Sequence, residues 1–254
     1  MRKKINILFS AAILSAASIL VIFSSRLSAA EEYSVRNIQP HLLKDAEAVV
    51  RKNIVQFEVA DEETAYEKVR FAVTIFNKES RDHGSLNLWY NSFSSIKSLE
   101  GVIYDSEGKE VRELEKADVV DISDFSDFSY YDDTRIKHAE MFYDRYPYTV
   151  EFTYEKKLKG YINWPEWHSR ESIDPVILSG FEVRLPMEQE LRFWANHDSL
   201  MKPRIEIIGN QKVYTWKAQN LPLLSKDAYG EAIEDVAATV KIAPAAFEID
   251  GNTG

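Results

Sequence analysis

Between Glu67 and Phe76, Val69, Phe71, Val73 and Ile75 alternate with Lys68, Arg70 and Thr74. A repeat of two sends alternate side chains to opposite faces of an extended chain, so this segment reads as a half-buried strand. The pattern constrains the fold more than any other feature because it recurs. Tyr148, Val150, Phe152 and Tyr154 stand against Thr149, Glu151, Thr153 and Glu155, and Phe181, Val183 and Leu185 repeat it before Pro186. Two hairpins show in their turns: Asp105-Ser106-Glu107-Gly108 between Val102–Tyr104 and Val111, and Gly209-Asn210 between Ile205–Ile208 and Val213–Trp216. Shorter strands are expected at 54–59, 86–90, 136–142 and 191–194.

One stretch has helical spacing. In residues 38–52, IQPHLLKDAEAVVRK, a helix would set Leu42, Leu43, Ala46, Val49 and Val50 on one face, with Pro40 in its first turn. Frequent turns and one short N-terminal helix predict a mainly β, antiparallel β-sandwich-like domain. It spans residues 31–250, as one sandwich or as two joined sheets divided near 175. Two segments break the strand rhythm. Asp118–Asp133 is acidic, aromatic and Ser-rich and reads as a long loop; Lys217–Ala246 holds the breakers Pro222, Gly230 and Pro244, with one helical turn near Ala232–Val236.

The ends differ from the body. Arg2, Lys3 and Lys4 precede 21 uncharged residues, Ile5 to Ser25, and Ser28-Ala29-Ala30 offers small residues before Glu31. That is the layout of a secretory signal over residues 1–30, the competing reading being an uncleaved anchor. Export to the periplasm or beyond is the expected localisation. Four of the 31 basic residues and none of the 41 acidic ones lie in this leader, so the remaining 224 residues carry a net charge of −14. Such a surface repels nucleic acid and anionic membranes, leaving the leader, if retained, as the membrane contact. The chain has no cysteine, which excludes disulfides, thiolate metal sites and a cysteine nucleophile. At the other end, Phe247–Gly254 is turn-rich, and residues 251–254 read as a truncated linker or tail.

Few residues suggest chemistry. Asp121, Asp124, Asp127, Asp132 and Asp133 crowd one segment, but the glycine and closing glutamate of a calcium loop are missing. They read as solvated charge, with Asp132 and Asp133 close enough to Arg135 for a structural ion pair. The histidines, His41, His83, His138, His168 and His197, show no metal-binding spacing, and neither metal nor cofactor is expected. His168, between Glu166 and Glu171, is a candidate acid–base group. A glycan hydrolase needs only two carboxylates, so an acidic chain always retains that alternative. Tyr161, Trp164 and Trp167, with Pro165 among them, form an aromatic cluster that could stack on a sugar ring or grip a peptide; the competing reading makes them core.

Several short stretches carry a resemblance. They include AEAVVR at 46–51, VTIFN at 73–77, Lys97–Leu99 before VIYDSEGKEV at 102–111, and YYDDTR at 130–135 leading to YPYTVEF at 146–152. Pro175-Val176, Tyr214-Thr215-Trp216, Asn220-Leu221-Pro222, and Ala243-Pro244 with Phe247 continue the series in order. Together they resemble the domain of unknown function that commonly stands N-terminal to transglutaminase-like domains in exported proteins of gram-negative bacteria. The resemblance covers nearly all of the chain after the leader. It implies a mostly β domain without assigned catalytic residues, the Cys-His-Asp chemistry belonging to a following domain. No cysteine stands here to receive that role.

The expectation is therefore a non-catalytic, exported β-sandwich domain serving as an interaction or substrate-presenting module for transglutaminase-like proteins. Its partners would be protein, peptide or cell-wall glycan. The alternatives are the N-terminal part of a transglutaminase-like or cysteine peptidase enzyme, or a carboxylate-based glycan hydrolase.

Overall fold

The computed structural model describes residues 29–123, 133–160, 164–224, 233–245, 248–249 and 252–253. The leader up to residue 28, Asp124, Asp127, Asp132, Tyr161, Gly230 and Phe247 lie outside them. In chain order the strands are β1 (Ala48–Val59), β2 (Thr64–Ile75), β3 (Ser85–Tyr90), β4 (Ser94–Tyr104), β5 (Glu110–Glu113), β6 (Val119–Ser123), β7 (Arg135–Glu140) and β8 (Tyr148–Lys159). There follow β9 (Glu166–His168), β10 (Val176–Pro186), β11 (Leu191–Ala195), β12 (Arg204–Ile208), β13 (Gln211–Leu221), β14 (Thr239–Pro244), β15 (Glu248–Ile249) and β16 (Asn252–Thr253). Short helices are α1 (Ala29–Tyr33), α2 (Pro40–Leu43) and α3 (Ile233–Val236). The mainly β class is as the alternation predicts.

One large sheet has the order β12-β13-β10-β1-β2-β8-β4-β5. Its neighbours are antiparallel except β1 and β10, which run parallel. Two three-stranded sheets, β11-β14-β9 and β3-β7-β6, cover one face of it. Under the first, Phe57, Phe181, Val183, Leu185 and Trp216 meet Trp167, Val240 and Ile242. Under the second, Val50, Val73, Ile75, Tyr148, Val150 and Phe152 meet Ala139 and Met141. The fold is a sandwich whose second layer is split in two.

A β-bulge lets β1 serve both halves. The β1–β2 register shifts between Val50 and Lys52, leaving Arg51 as the extra residue. Without it, Ala48 and Val50 would face away from Phe57 and Val59, because a one-residue slip reverses the faces of a strand. With it, all four are buried in the covered face.

Three expectations need correction. The helix over 38–52 is only α2, ending at Leu43. Asp45 takes a left-handed backbone (φ 58°), and Ala48, Val49 and Val50 are all buried as the start of β1. A strand covered on both faces mimics one helical face over a few residues. The Asp118–Asp133 segment contains β6, and Lys217–Ala246 contains β14 as well as the end of β13. In β6 the alternation Val120, Ile122 against Asp121, Ser123 is present but diluted by surrounding acid and serine.

Candidate functional site

The outer face of the large sheet is polar, and its most buried part lies beneath the N-terminal segment. Residues 29–43 cross the sheet there, burying Tyr33, Ile38 and Leu42 at 1%, 3% and 0% exposure. Leu42 and Ile38 pack with Val49, and Tyr33 stacks obliquely on Tyr104 with ring centroids 4.6 Å apart. Arg51, the bulged residue, donates from Nη2 to the carbonyl of Glu32 at 2.6 Å and from Nη1 to that of Ser34 at 3.4 Å. The bulge thus turns a cation toward the strap.

A cluster of four charged side chains and the Tyr33 hydroxyl completes this clasp. Glu32 pairs with Lys52 and, at 3.3 Å, with Arg70. Arg70 Nε donates to Glu151 Oε2 at 2.7 Å, and the Tyr33 hydroxyl donates to the same oxygen. Burial pushes the Glu151 carboxyl up to about 7 despite Arg70, because desolvation penalises its charged form. Burial, reinforced by the like charge of Arg70, holds Lys52 down to about 8. A carboxyl near neutrality is suited to acid–base work in a cleft. This one is closed off by Tyr33 and only 8% exposed, so the geometry makes it a latch for the strap.

The β3-β7-β6 sheet presents a different surface. Its covered face carries Leu86, Ala139 and Val119. Its opposite face carries a cross-strand row of Trp89, Ile136 and Ile122, with Val120 one row along. Trp89, Val120 and Ile122 are 51%, 53% and 49% exposed. In the row containing Val120, His138 bonds Asn87 at 2.7 Å and Glu140 at 2.9 Å, so it is committed to the sheet. An indole and branched aliphatic side chains adjoining on an open sheet face form a flat apolar patch, the kind of surface that marks an interaction site.

The residues singled out from sequence fall elsewhere. Trp167 is 2% exposed and lies parallel to Phe181 with centroids 6.3 Å apart, so it is core. Trp164 is partly buried against Phe57, centroids 5.3 Å apart. Arg135 is held by Asp121 at 2.9 Å and by the Tyr90 hydroxyl at 3.0 Å. Asp133 instead accepts from the Ser92 amide at 2.7 Å, and the hydroxyl and amide of Ser92 together hold its carboxyl below the usual range. His168 bonds Thr239 at 2.9 Å beside Glu166. Among the described residues no group of three or more His, Cys, Asp or Glu could hold a metal ion. Sequence reading missed Trp89 and the clasp. Trp89 stands in an expected strand whose exposed face was not assigned, and Glu32 and Tyr33 carry no motif.

Comparison with solved structures places the fold among known ones. A candidate protease from Parabacteroides distasonis superposes with a TM-score of 0.66 at 17% identity, over 77% of this chain and 40% of that one. Aminopeptidase A of Legionella pneumophila gives 0.37 at 13% identity, over 84% and 23% of the two chains. The M1 zinc metallopeptidase of Deinococcus radiodurans gives 0.35 at 10%, over 83% and 45%. The chain thus spans less than half the length of each. No protein of curated function matches it in sequence. The profile of DUF3857, a domain of unknown function with solved structures, matches residues 61–224, and the chain belongs to that family.

Proposed function

We propose that the chain is an exported, non-catalytic interaction module that docks or presents a partner for a transglutaminase-like protein. The carrying observation is the apolar outer face of the β3-β7-β6 sheet, where Trp89, Val120 and Ile122 are about half exposed. What supports the reading is that these side chains adjoin one another on one sheet face, as the apolar residues of a docking surface do. Export fits the clasp. Cleavage after Ala30 would make Glu32 and Tyr33, which hold the strap to the sheet, the second and third residues of the mature chain.

The test is a calorimetric titration of the purified chain with three probes. These are a transglutaminase-like protein encoded beside it, soluble peptidoglycan fragments, and an extended apolar peptide. The module reading expects saturable binding of one probe and no turnover of any. Release of product from the peptidoglycan or peptide would establish an enzyme, and silence from all three would remove the module.

A second reading is that the chain is the front of a longer enzyme. It is favoured by the superposition on only 40% of the candidate protease, where this fold is one portion of a larger chain. An open reading frame continuing past Gly254 into a cysteine- and histidine-bearing domain would establish it.

A further inference from the structure

The two edges of the large sheet are built differently. At one end β5 is four residues long and carries Glu110 and Glu113. Short, charged edges resist pairing with another chain. At the other end, among the described residues, β12 pairs only with β13, so one side of its backbone is open. Its side chains alternate Arg204, Ile205, Glu206, Ile207. Ile205 lies opposite Tyr214, whose ring belongs to the covered core. Ile205 and Ile207 therefore point to the same side as the core, yet they are 56% and 66% exposed. The β11-β14-β9 layer covers β13 through the edge contact of Phe193 on Trp216 and stops short of β12.

The charges on the strand select its partner. Arg204 and Glu206 lie on the outer face and pair with each other at 2.8 Å. A second copy of β12 brought up antiparallel about a twofold axis through Ile205 sets Arg204 opposite Glu206, and Glu206 opposite Arg204. It also sets Ile205 against Ile205 on the core side. Moving the axis to Glu206 puts that carboxylate against itself, and moving it to Arg204 does the same with the guanidinium. Intermediate registers turn isoleucine onto the charged face. Opposite charges directly across an antiparallel pair stabilise it, and like charges destabilise it.

We propose that β12 is a self-association edge, joining two chains antiparallel about Ile205 into one continuous sheet. The isoleucines that overhang the smaller layer are buried in the trough between the two copies. The contact is isologous, as twofold symmetry requires. One short strand pair falls below the area of a standard interface, so the dimer is of the weak, concentration-dependent class.

Because the chain lacks cysteine, a single introduced thiol reports the register without background. The full chain, purified from the expressing host, is followed by sedimentation velocity up to about 1 mM. A reversible monomer–dimer equilibrium is expected. Ile205→Cys should cross-link to itself under mild oxidation roughly tenfold faster than Glu206→Cys, whose thiols would sit diagonally rather than opposite. Arg204→Glu should raise the dimer dissociation constant about tenfold or more, and Arg204→Glu with Glu206→Arg should restore it. Melting curves confirm that each variant is folded, and if one single variant is not, the paired exchange still tests the register. A chain that stays monomeric across the range, equal cross-linking at the two positions, or a paired exchange that fails to restore association overturns the proposal.

Discussion

Glu151 sits among Arg70, Tyr33, Glu32 and Lys52, and its ordinary value of 4.5 rises to about 7 on folding. The folded chain therefore holds more protons than the unfolded chain between those values. Its contribution to stability is fullest below pH 4.5 and is lost as pH rises toward 7, by at most about 3 kcal/mol. Lys52 runs the other way, its charged form being penalised until the pH climbs from about 8 to 10.5. Urea unfolding of wild type and Glu151→Gln at pH 5 and 7.5 isolates the first effect: the substitution should flatten that part of the dependence. Trp167, which the sequence leaves open as a ligand platform or as core, is core, so Trp167→Ala should cost about 3–5 kcal/mol. Arg135→Ala should barely move the melting temperature, because its pair with Asp121 is exposed on both sides. From sequence, Asp132 and Asp133 are the obvious partners of Arg135. Among the described residues its acidic partner is Asp121, fourteen positions away, brought in because β6 and β7 pair Ser123 with Arg135 and Asp121 with Lys137. Register across strands decides such partners, and a linear reading does not contain it.

At the scale of elements, the long strands were legible because their two faces differ. β2 and β8 keep a strict period of two, and the hairpins of β4 with β5 and β12 with β13 announce their turns. β9 and β14 are short, and β14 ends on the expected breaker Pro244, so neither shows enough repeats. The strap was illegible for another reason. Glu32 and Tyr33 gain meaning only from Lys52, Arg70 and Glu151, which three separate strands bring together. Tyr33→Ala removes a ring buried to 1% together with its hydrogen bond, and should lower stability by roughly 3–5 kcal/mol. Gly84 joins the turn after β2 to the exit of β7, donating no side chain but accepting from the Met141 amide at 2.8 Å. A Cβ there would stand 2.5 Å from the Met141 carbonyl oxygen. Gly84→Ala should therefore cost about 1–3 kcal/mol in denaturant unfolding, since backbone must move to admit it.

For the whole molecule, the eight-stranded sheet has one covered and one polar face, and the β3-β7-β6 layer carries the apolar patch. The outer row of Trp89, Ile136 and Ile122 does not contribute to either core cluster, so it can be altered without touching the fold. That separation makes the account testable. The direct measurement is the affinity of the chain for the probe it binds, compared with Trp89→Ala and Ile122→Ser, each shown to melt as wild type. The account predicts at least about tenfold weaker binding for Trp89→Ala, as expected of a central aromatic anchor, and a smaller loss for Ile122→Ser. Unchanged affinity in both variants would contradict it, since the partner would then be meeting some other face.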